Sequence, residues 1–146
     1  MLNQIVTTSV VLVVAIAGLV VGFRGDTALF FLAVTAVFVL TGAAIIVPWG
    51  SLGRLWLALI PLGDILAIAV MRVAEPTAGF GLLWVFPVIW LAAGFGTVGW
   101  IGGVLLALGA YGVTDVVIRS SPSSFGFLLL PPLLIAVSTS TYLSSR

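Results

Sequence analysis

The amino-acid sequence predicts an all-α fold: a polytopic bundle of six transmembrane helices forming one integral membrane domain over residues 1–146. Three observations predict it. The chain is 62% hydrophobic and 6% charged, with a mean hydropathy of +1.40. A soluble domain of this size has too little interior to hide so much apolar surface. The few charged and turn-forming residues come in clusters, and these cut the sequence into apolar stretches of about 20 residues, the length that crosses a bilayer. The longest uncharged block exceeds that length and carries glycines at its middle.

The first span is expected near 5–22. "AIA" at Ala15–Ala17 has the look of a signal-peptide cleavage site. The segment before it carries no basic side chain, however, and the apolar run continues to Phe23, so the span is expected to be retained. "FRGDT" (Phe23–Thr27) breaks the run, and the second span follows near 28–47. "PWGSLGR" (Pro48–Arg54) separates it from a third near 55–71, and "RVAEPTAG" (Arg72–Gly79) ends that one.

Phe80–Thr114 carries no charge. At about 35 residues it makes roughly 52 Å of helix, against a hydrocarbon core of about 30 Å. "AAGFGTVG" (Ala92–Gly99) places three glycines where a tight turn is least hindered. The block is therefore divided into spans near 80–95 and 97–118. "RSSPSSFG" (Arg119–Gly126) precedes a sixth near 127–143, with Pro131 and Pro132 in its first turn, where a missing N–H matters least. Six spans put both termini on one side. The alternative is five spans, with a re-entrant or strongly kinked element within Phe80–Thr114.

Composition excludes several chemistries. There is no Cys, His or Lys, and all five basic residues are Arg. That removes disulfides, thiolate and imidazole metal sites, and Schiff bases. No metal site, cofactor or catalytic set is expected. A net charge of +1 leaves no basic patch for nucleic acid. The bilayer itself is the expected partner.

Asp64 stands out. It lies near the middle of the third span in "LIPLGDILAIAVMR", where an ionised Asp costs about 2.5–3.5 kcal/mol on insertion scales. Such a residue faces the bundle interior and finds partners. Pro61, a turn earlier, is expected to kink the helix and free a backbone carbonyl; Pro87 is expected to do the same in the fourth span. Trp84 and Trp90 flank Pro87 and can line an apolar pocket with their indoles. Arg72 and Glu75 are three apart, and Asp115 and Arg119 four apart, so each pair shares a helix face. With six spans both pairs meet at one membrane face, as the rim of a ligand site. The candidate ligand-binding residues are Asp64, Trp84, Trp90, Arg72, Asp115 and Arg119. In the plainer reading Asp64 only orients helices, the arginines snorkel and the tryptophans sit at interfaces. Gly18/Gly22 and Gly99/Gly103 are small-residue pairs that permit close helix approach.

"PLGDILAIAVMR" followed by "GLLWVFPVIWLAAGFG" resembles the N-terminal multipass sensor regions of bacterial, especially actinobacterial, diguanylate cyclases and histidine kinases. The residues that carry the resemblance are Pro61, Asp64, Arg72, Pro87 and Trp90, and it extends over Pro48 to Arg146. It implies a sensor domain in the inner (plasma) membrane with both termini cytoplasmic. It also implies a dimer through the C-terminal span and a C-terminal cytosolic signalling module that would hold any enzymatic output. The expected function is to bind a small ligand between helices and pass on a conformational change. The alternatives are a small transporter or channel subunit using Asp64 and a non-catalytic assembly subunit.

Overall fold

The computed structural model describes residues 2–49, 53–118, 135–137, 139–140 and 143. Among these, all regular structure is helical. α1 (Leu2–Val21) is rich in Val and Ile, which favour strands in water. In a bilayer every backbone N–H must be met within its own segment, and the helix does that. The helix stops at Gly22, whose φ of 89° suits glycine alone. Phe23 then folds back over α1. A Cβ on Gly18 would lie 2.4 Å from its ring, so the absent side chain makes that contact possible. The Phe23 ring meets Phe30 at 4.6 Å and Phe31 at 5.7 Å.

α2 (Thr27–Ile46) is capped by Asp26, whose Oδ1 accepts from Leu29 N at 2.9 Å. It ends just before Pro48, which disfavours helix in the residue ahead of it. α3 (Leu59–Ala74) continues a 3-10 segment, Arg54–Ala58. α2 and α3 run antiparallel: Asp26 N donates to Ala74 O at 2.9 Å at one end, and Gly63 makes room for Leu40 toward the other.

The long helical stretch Val85–Ile118 is broken at Gly96 (φ 64°, ψ −140°), a conformation that glycine adopts most easily. It becomes α4 (85–95) and α5 (97–118), and α5 turns back along α4. A Cβ on Gly99 would fall 1.9 Å from Leu91 O, and one on Gly103 would fall 3.2 Å from the Leu91 side chain. In a straight helix residues 91 and 99 would be about 12 Å apart. The uncharged block is therefore broken at Gly96, as both the six-span division and the five-span alternative require, and the Gly99/Gly103 pair packs the two parts together.

Among the described residues, four stretches are long and apolar enough to cross a membrane: Gln4–Val21, Thr27–Ile46, Leu55–Ala74 and the folded Phe80–Ile118. The sixth expected span, near 127–143, falls largely outside the described residues. The burial pattern also fits a lipid solvent: Val21 is 86% exposed while Asp64 is 0% exposed. The core is filled by Phe30, Val37, Ile68, Met71, Trp84 and Val88.

The two prolines sit in the first turns of their α-helices. Pro61 and Pro87 are each the third residue of an α-helix that follows a 3-10 segment, Arg54–Ala58 and Phe80–Trp84. No residue inside α3 leaves helical geometry, and the break in Val85–Ile118 is at Gly96. A missing N–H in the first α-turn is tolerated, because that donor is one the turn leaves unused. The two prolines mark a change of winding from 3-10 to α.

Candidate functional site

The expected single site divides into two clusters on opposite halves of α3. The first surrounds Asp64. Gln4 Nε2 donates to Asp64 Oδ1 and to Thr41 Oγ1, both at 3.2 Å. Thr41 donates to Val37 O at 2.9 Å and shares a short hydroxyl contact with Thr8. The cluster ties α1, α2 and α3 together, with Gln4 and Asp64 buried and Thr8 and Thr41 partly exposed. Asp64 is central in its own span, but Gln4 is the third residue of α1 and Thr41 lies about 8 Å of helix from the end of α2. The cluster therefore lies toward the N-terminal end of the bundle. Sequence reasoning singled out Asp64 and missed Gln4, Thr8 and Thr41. Gln4 and its neighbour Asn3 are the only two amide residues in α1, and an amide pair opening an apolar span was the available signal.

The second cluster holds Arg72, which is 8% exposed. Its Nη1 donates to Tyr111 O at 3.1 Å and to the Thr114 hydroxyl. Its Nη2 pairs with Asp115 Oδ1 at 3.3 Å. The guanidinium carbon stands 3.9 Å from the centre of the Tyr111 ring, close enough for cation–π attraction. A planar guanidinium can make these contacts at once, where a lysine ammonium could not. Arg72 and Asp115 thus meet at one face, as expected, but they pair with each other between helices. Arg119 lies outside the described residues.

Glu75 was expected beside Arg72, yet it turns the other way. Its Oε2 accepts from Arg24 N at 2.7 Å and Gly25 N at 2.8 Å, and its Oε1 accepts from the Thr77 hydroxyl at 2.6 Å. The Thr77 hydroxyl, chiefly, and these backbone N–H groups hold the carboxyl below its ordinary pKa, against burial, which raises it. Gly25 is needed here, since a Cβ on it would collide with Ala74 O.

Trp84 is buried between the clusters. Its Nε1 donates to Ile65 O at 3.0 Å, and its ring meets Tyr111 edge-on at 6.1 Å. Trp90 is only half-buried and lies farther along α4. Asp64, Trp84 and Arg72 are each enclosed by neighbouring helices. The open space lies elsewhere. A cleft of about 410 Å³ separates the end of α1 from the α3–α4 connection. Its walls are Val14, Gly18, Phe23 and Phe80, with Arg24 and Glu75 beside them.

Among the described residues no group of carboxylates could hold a metal ion. Comparison with known proteins gives no match to a family model, to a curated protein or to a solved structure.

Proposed function

We propose that the chain is the membrane-embedded sensor part of a signalling protein, which takes a small lipophilic ligand between its helices and passes a change of packing toward its C-terminus. The cleft beside Arg24 carries the proposal. It is large enough for a small amphiphile, its walls are apolar, and the exposed Arg24 offers a cation for an anionic head. The oxygens of Glu75 are already engaged by Thr77 and by the N–H groups of Arg24 and Gly25. A route outward supports the signalling part. Phe80 lines the cleft and opens the 3-10 segment that ends at Trp84. Trp84 meets Tyr111 on α5, and α5 leads toward the C-terminus. In this proposal the chain crosses the inner membrane six times with both ends cytoplasmic, and the segment near 127–143 pairs with a second copy.

The test uses the purified full chain in detergent, with decanoate as the probe and decanol and decyltrimethylammonium as controls. Decanoate should raise the thermal midpoint of the wild type and leave Ala17→Trp, which fills the cleft, unmoved. Equal shifts in both proteins, or none in either, overturn the binding part. Spin labels at Thr77→Cys and Val117→Cys should change separation when decanoate binds. Binding with no such change overturns the sensing part.

A rival reading, transport through Asp64, is favoured by one observation: two enclosed oxygens in the Gln4–Asp64 pair have no partner among the described residues.

A further inference from the structure

Those two oxygens, Asp64 Oδ2 and Gln4 Oε1, belong to one hydrogen-bonded pair. The described side-chain donors that bond within this cluster are already committed. The Gln4 amide hydrogens go to Asp64 Oδ1 and Thr41. The Thr41 hydrogen goes to Val37 O, so Thr8 must be the donor in the contact between the two hydroxyls. Both leftover atoms are acceptors as long as the carboxyl is ionised. Charge balance points the same way. α1 and α2 carry no charged side chain, and before Asp115 the only titratable group in Val85–Ile118 is the phenol of Tyr111, which stacks with Arg72. Arg72, two turns along α3, is held by Tyr111, Thr114 and Asp115. No cationic side chain among these elements faces Asp64. An enclosed charge without a counter-charge is strongly disfavoured.

We propose that the Gln4–Asp64 pair is a proton site, in which Asp64 stands as a neutral carboxylic acid whose Oδ2 hydrogen is donated to the Gln4 amide oxygen. A single hydrogen converts one unmatched acceptor into a donor for the other and removes the charge. The pair then becomes a two-bond clasp between α1 and α3, and it is independent of the ligand cleft at the other end of the bundle.

The neutral acid has a close isostere. Asp64→Asn keeps one acceptor oxygen and replaces the O–H with an N–H. In detergent, Asp64→Asn should keep the wild-type thermal midpoint, while Asp64→Leu and Gln4→Leu should lower it. Infrared spectra of the full chain at neutral pH should show a carboxylic-acid carbonyl band that Asp64→Asn removes and that sodium or potassium chloride leaves unchanged. Isotopic labelling of the aspartate carboxyl carbons should shift this band even if the Asn variant does not fold, because Asp26 and Asp115 are exposed. The proposal is overturned if Asp64→Asn is as damaging as Asp64→Leu. Loss of carboxylate bands alone in the Asn variant overturns it too, as does displacement of the acid band by either salt, which would mark a cation site.

Discussion

Arg72 and Tyr111 are stacked, with the guanidinium carbon 3.9 Å from the ring centre, and this contact joins the end of α3 to α5. The same guanidinium donates to the Tyr111 carbonyl. The relationship therefore involves the ring and the backbone of one residue, and only the ring can be removed by mutation.

Tyr111→Ala should destabilise the chain by about 3–5 kcal/mol, as large-to-small changes at buried aromatics do. It takes the ring from beneath Arg72 and from beside Trp84. Asp115→Asn should cost no more than about 1 kcal/mol, because the Asp115 side chain is 50% exposed and water screens the pair. Arg72→Lys should fall between them. Denaturant unfolding in mixed micelles checks the order, and a larger loss for Asp115→Asn than for Tyr111→Ala would contradict it.

Glu75 gives the bundle an acid-sensitive joint. Its carboxyl is held below the ordinary value of 4.5 in the folded chain. A depressed carboxyl adds stability above its unfolded pKa, and that stability is lost as pH falls through the folded value. Stability should therefore decline below about pH 4.5, and Glu75→Gln should flatten that part of the profile while lowering stability at neutral pH. Thr77→Ala should narrow the acid-sensitive range, since the Thr77 hydroxyl is the chief cause of the depression. An unchanged acid limb in Glu75→Gln would refute the assignment.

The α4–α5 hairpin predicts a contrast among glycines on one helix. Gly99→Ala should destabilise by about 1–3 kcal/mol, the range for overpacking, because its Cβ meets Leu91 O. Gly102→Ala should be tolerated, since nothing lies within 4 Å of its Cβ. The native chain has no cysteine, so single substitutions report sidedness cleanly. Thr77→Cys and Thr97→Cys should label from opposite sides of a vesicle. Labelling from the same side would remove the hairpin.

Much of the fold was legible. The clusters at Phe23–Thr27 and Arg72–Gly79 ended helices as expected, because charge and glycine are disfavoured within a span. The break expected within Ala92–Gly99 fell at Gly96. The place of the prolines was not legible, because sequence spacing does not show that a 3-10 segment precedes them and puts each into a first α-turn. The candidate site was legible only by residue type. Asp64, Arg72, Trp84 and Asp115 are all engaged between helices, but the neighbours that engage them come from 39 to 60 positions away or, for Trp84, from 19.

Sequence by itself determined the solvent and the segments, because hydropathy and backbone hydrogen bonding act within about 20 residues of chain. Only the tertiary structure decided the partners: Gln4 for Asp64, Asp115 and Tyr111 for Arg72, and the Arg24–Gly25 backbone for Glu75. Inside an apolar bundle a polar group bonds to whatever lies across the helix interface, and helix rotation and tilt set that neighbour, neither of which is written in the order of residues.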